Sequence, residues 1–126
     1  MKNTRYIKLA AVLGFLAVAI GAFGAHGLEP LLTKYNRLET FETAVKYHFY
    51  HTFSILIVGL LLAIEQENKK LVYSAHSFLA GIVIFSGSLY FMSLTNITWL
   101  GAVTPLGGLA FMLGWIFLFI GVKKRL

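Results

Sequence analysis

The residues in this chain best suited to chemistry are three histidines, His26, His48 and His51. Imidazole nitrogens can hold zinc, copper or haem iron, and they exchange protons near neutral pH. His48 and His51 are three residues apart, which on a helix places them on a shared face. A short connection between the preceding segments would bring His26 beside them. Hydroxyls accompany the set: Tyr50 adjoins His51, Ser86 and Ser88 lead to Tyr90, and Thr104 precedes Pro105. A nucleophilic serine needs a base and a group to orient that base. His51 is the available base, but the acids on its side, Glu29, Glu39 and Glu42, sit in a loop. No catalytic residue and no metal ligand is therefore assigned, and no cofactor is predicted. The same groups have a structural use, in which each imidazole or serine bonds a neighbouring hydroxyl or backbone carbonyl. The candidate polar cluster is His26, His48, His51, Tyr50, Ser86, Ser88, Tyr90 and Thr104. His76 lies at the opposite end of the expected architecture.

The elements that must position this cluster follow from the charges. Of 126 residues, 58% are hydrophobic and 13% charged, with no aspartate and no cysteine; soluble domains average about 25% charged residues. No Asp, Glu, Lys or Arg occurs at 9–28, at 47–64 or at 71–122. A membrane-spanning helix takes about 20 apolar residues, so the first two runs supply one span each. The third, at about 1.5 Å per residue, would be roughly 78 Å long and must cross twice. It breaks at the polar stretch Thr95-Asn96-Ile97-Thr98. Only helices and closed barrels satisfy the backbone inside hydrocarbon. The sequence thus predicts one all-α membrane domain, a four-helix bundle with spans at about 6–27, 44–64, 71–94 and 99–122. Leu31, Tyr35, Leu38, Phe41 and Val45 recur every three or four residues, predicting an amphipathic interfacial helix at about 30–43. Pro105 is expected to free a carbonyl one to two turns into span four, and Thr104 with the neighbouring glycines predicts that this turn is tightly packed or kinked.

Eight Lys and Arg flank the spans on the side of the termini and three on the other. The positive-inside rule then places both termini in the cytoplasm of a plasma-membrane protein. The basic residues cluster at the ends of apolar runs rather than forming a patch that reads bases, which argues against a nucleic-acid partner. Ala22-Phe23-Gly24 resembles a cleavage site, but the apolar stretch is long for a signal peptide and is read as a retained span. No carboxylate lies deep in a span, which excludes small exporters that need a membrane-embedded acid. Ala10, Gly14, Ala17, Gly21 and Gly24 line one helix face, and Gly107, Ala110, Gly114 and Gly121 line another. Small residues in such seams let helix backbones approach closely. Gly14, Gly21, Gly24, Gly107 and Gly114 are accordingly packing positions.

Four motifs occur in order: GAFGAHGL at 21–28, YHFYH at 47–51, FSGSLY at 85–90 and TPLGG at 104–108. The chain resembles, over nearly its whole length, the membrane family known as domain of unknown function 423 (transmembrane protein 256-like). The resemblance implies a four-helix integral membrane protein without an assigned activity. Two functional classes remain open: a non-enzymatic component that binds lipid or a small molecule, or supports a partner complex or homo-oligomer, and a histidine-based metal, haem or proton-handling protein. The expected partner common to both is the lipid bilayer.

Overall fold

The computed structural model describes residues 3–123, and among them every regular element is a helix. Helix α1 spans Arg5–His26, α2 Glu29–Lys34 and α3 Leu38–Ile64. Helix α4, Lys69–Gly81, continues through a π-helical stretch, Ile82–Ser86, into α5, Gly87–Thr95. A short 3-10 turn at Thr98–Ala102 leads into α6, Thr104–Gly121. Four stretches are long and apolar enough to cross a membrane: Arg5–His26, Leu38–Ile64, Lys69–Thr95 and Thr98–Gly121. The protein is an all-α membrane bundle with four such helices.

The breaks are chemically specific. Asn36 and Asn96 both adopt the left-handed conformation, with φ of 55° and 57°, which asparagine tolerates better than most residues. Asn96 ends α5 inside the polar stretch that breaks the long apolar run. Asn36 corrects the expected helix at 30–43: the chain turns at residues 35–37, leaving only Glu29–Lys34 as a separate helix. Residues from Leu38 onward belong to the same unbroken helix as the second span. The inward-facing leucine of α2 is consequently Leu32. Pro105 opens a turn that is tightly packed, at Gly107 against the Phe85 backbone, and not kinked. It occupies the first turn of α6, where a missing N–H interrupts no helical bond, so it starts the helix without kinking it. The π-helical stretch was not foreseen. It contains the β-branched run Ile82-Val83-Ile84 between Gly81 and Gly87, and crowding at such residues weakens the preference for a tight α-helix.

The helices form a row. Helix α1 packs chiefly on α3, α3 packs on α4 and α5, and α6 packs on α4 and the π-helical stretch. The main core joins Tyr6, Leu13, Ile55, Leu62, Phe78 and Phe111 with their neighbours. Asn68 ties one end together: its side-chain oxygen caps α4 at Leu71 N, while its amide donates to the Gly121 carbonyl at 2.8 Å. Ser74 Oγ donates to the Gly114 carbonyl at 2.7 Å and joins α4 to α6. The glycine seams face their neighbours unequally. A Cβ at Gly24 would overlap the Phe41 ring, and one at Gly107 the Phe85 backbone. One at Gly114 would press on the Phe78 ring, and one at Gly21 would lie 3.3 Å from Val45. Gly14 is looser, with a single neighbour, Thr52 Cγ2, at 3.7 Å. Gly59 and Gly81, absent from the predicted seams, also sit at close approaches, to the backbone near Ile7 and to the Phe111 ring.

Candidate functional site

The eight residues expected to form one cluster separate into several small sets. His51 is buried among aromatics of α4 and α6, stacked on Phe111 with ring centroids 3.5 Å apart and planes 10° from parallel. Its Nδ1 lies 2.8 Å from the Tyr47 carbonyl, and Trp115 Nε1 donates to its Nε2 at 3.3 Å. A carbonyl can only accept and an indole N–H can only donate. The ring is therefore neutral, with the proton on Nδ1, and it has no lone pair left for a metal. His51 is a structural bridge from α3 to α6.

His48, one turn closer to the start of α3, turns the other way. Its Nδ1 pairs with the Tyr90 hydroxyl of α5 at 2.9 Å. Its Nε2 is buried and unpaired, and the nearby Leu13 carbonyl of α1 does not complete a hydrogen bond with it. The spacing of His48 and His51 predicted a shared site; the two rings instead meet different neighbouring helices of α3. Residues i and i+3 are about 60° apart around a helix, and in a row of helices that angle is enough to meet different neighbours.

The remaining candidates are equally dispersed. Ser86 Oγ donates to the Ala44 carbonyl at 2.8 Å, binding the π-helical stretch to α3. Ser88 and Thr104 share a 2.6 Å hydroxyl pair across the turn between α5 and α6. Tyr50 is 56% exposed, with the Tyr47 ring edge-on beside it. His26 is exposed at the end of α1, outside any cluster with His51. At the opposite end, the Tyr6 hydroxyl lies 3.0 Å from His76 Nε2 and receives a bond from Arg5. Among the described residues, no three His, Cys, Asp or Glu side chains converge as a metal site. No described serine hydroxyl bonds a histidine either.

A concave feature lies beside the His48–Tyr90 pair. Because α1 packs on α3 and not on α5, a cleft of about 660 Å³ opens between α1 and α5. Ala19, Ile20 and Phe23 form one wall, Tyr90 and Leu94 the other, and Phe41 of α3 contributes to the base. Its surface is almost wholly apolar.

The assembly of four apolar helices with these motifs agrees with the comparisons to known proteins. Residues 20–108 match the family described as Protein of unknown function (DUF423). The chain belongs to this family. It is 43% identical over 122 residues to the UPF0382 membrane protein YwdK of Bacillus subtilis, covering 96% of this chain and 98% of the relative. It is 39% identical over 125 residues to the UPF0382 inner membrane protein YgdD of Escherichia coli, covering 98% and 93%. A UPF0382 membrane protein of Staphylococcus saprophyticus is 44% identical over 120 residues, covering 94% and 97%. No solved structure matches. In this DUF423 chain, sequence reasoning missed Trp115 and Phe111 as partners of His51, 64 and 60 residues away, and no local signal identifies them. It also missed Thr52, although its place one turn after His48 was readable.

Proposed function

We propose that this protein is a non-enzymatic membrane component that holds a lipid hydrocarbon chain, acyl or isoprenoid, in the cleft between α1 and α5. The supporting observation is the cleft itself: about 660 Å³, walled by aliphatic and aromatic side chains, with its one hydroxyl already paired to His48. That volume falls within the ordinary range for small-molecule sites. The cleft opens sideways between two membrane-crossing helices, so its surroundings are hydrocarbon chains at high concentration. Charged residues do not line it, which suits a chain better than a headgroup. The histidines fit a structural role in this reading, since His51 has both nitrogens engaged and His48 one. In this reading the protein lies in the plasma membrane with both termini in the cytoplasm, which its Lys and Arg distribution supports.

Native mass spectrometry of protein extracted in mild detergent tests the proposal. Wild type should retain a lipid adduct. Ala19→Trp, which fills the cleft, should largely abolish it, while Val12→Trp on the exposed face of α1 should not. Equal retention by both variants would sink the assignment.

A further inference from the structure

Midway along the contact between α1 and α3, two polar atoms stand out because nothing pairs with them: His48 Nε2 and Thr52 Oγ1. Their residues are 3% and 5% exposed, so neither is reached by bulk solvent. They are four residues apart, which stacks them on one face of α3. That face meets the Leu13–Gly14 peptide of α1: the Leu13 carbonyl lies beside the His48 ring, and Thr52 Cγ2 is the nearest atom to a Cβ at Gly14. Elsewhere the seam is tight, as where Gly24 faces Phe41. At Gly14 a Cβ would have only that one neighbour within 4 Å. Unpaired polar atoms and local looseness coincide.

We propose that this point is a binding site for a single water molecule, held by His48 Nε2, Thr52 Oγ1 and the Leu13 carbonyl. Buried waters typically make about three hydrogen bonds to groups that otherwise lack partners. Water both donates and accepts, so it satisfies either neutral tautomer of His48 together with the threonine hydroxyl. The alternative is two buried polar groups left unpaired in a hydrocarbon setting, which is costly. With the water in place, hydrogen bonds run from Tyr90 on α5 through His48 to Thr52 and on to α1. Helix α1 otherwise rests on α3 mainly through small residues and apolar contacts, which permit sliding. The water gives that contact a polar register. This site is independent of what fills the cleft.

Nitrogen-15 NMR of histidine-labelled protein in bilayers tests the site, with the His48 signals assigned by their loss in His48→Gln. In wild type, magnetisation should pass from a slowly exchanging water to His48 Nε2; no transfer overturns the proposal. Thr52→Val keeps the side-chain shape and removes the hydroxyl. It should shift the Nε2 resonance and lower the melting temperature by several degrees, whereas Thr52→Ser should leave the resonance near its wild-type position. If the hydroxyl is simply buried and unpaired, Thr52→Val will raise the melting temperature or leave it alone, with Nε2 unmoved. That outcome overturns the proposal as well.

Discussion

The bridge from His51 to Trp115 can be tested by a double-mutant cycle whose size follows from its geometry. The N–H···N distance of 3.3 Å is long for a hydrogen bond. Typical net contributions are about 0.5–1.5 kcal/mol, and polar pairs within membrane helices average about 0.6 kcal/mol. A coupling of about 0.5–1 kcal/mol is therefore expected between His51→Ala and Trp115→Phe. His51→Ala alone should cost more. It also removes the ring stacked on Phe111, worth about 0.5–1.5 kcal/mol, and leaves a void among Phe78, Phe111 and Trp115. The total comes to about 2–4 kcal/mol once that void is counted. Unfolding would be followed by circular dichroism as a denaturing detergent is titrated into mild micelles, which avoids reliance on the mutated tryptophan. His26→Ala provides the control. Sequence alone placed His26 and His51 in one network, but the structure leaves His26 exposed, so this pair should add within about 0.3 kcal/mol. A coupling near zero for His51 with Trp115, or an equal coupling for His26 with His51, would refute the arrangement.

Two further outcomes follow from packing and charge. Gly24→Ala should destabilise the protein by about 1–3 kcal/mol, because its Cβ overlaps the buried Phe41 ring. Gly14→Ala, with 3.7 Å to its nearest neighbour, should be tolerated in the same titration; equal losses would mean the seam is packed uniformly. Single cysteines at Asn3 and Asn96 should react with an impermeant reagent from opposite sides of the membrane, Asn96 from outside. Reaction of both from one side would contradict the proposed topology.

How much was legible beforehand depended on the kind of signal. The number of spans and the break at Thr95–Thr98 were readable because charges are excluded from hydrocarbon whatever the helix packs against. The glycine seams were readable as faces, since small residues at three- and four-residue spacing stay on one side of a helix. His48 and His51 were recognisable as candidates, but their partners were not. Their neighbours Tyr90, Phe111 and Trp115 come from distant segments, and helical periodicity does not say which face meets which helix. The unbroken α3 from Leu38 was obscured by the charges at Glu39, Glu42 and Lys46, which marked a loop by composition while the backbone stayed helical.

By itself, then, the sequence determined a four-span helical membrane protein, the break around Asn96 and the small-residue faces, but not the turn at Asn36 that interrupts the expected helix at 30–43. Tertiary structure alone decided that the helices form a row, that a cleft opens between α1 and α5, and that the polar residues divide into separate pairs. In water, burial and hydrophobicity rise together, so pattern reveals the core. Between these helices that link is lost: in the most apolar 18-residue window, α1 has 17% of its residues buried and α3 has 50%, though both read as spans. Lipid and protein interior are both apolar, so an apolar side chain does not announce which it faces. Only packing shape and the few hydrogen bonds available across helices select the partners.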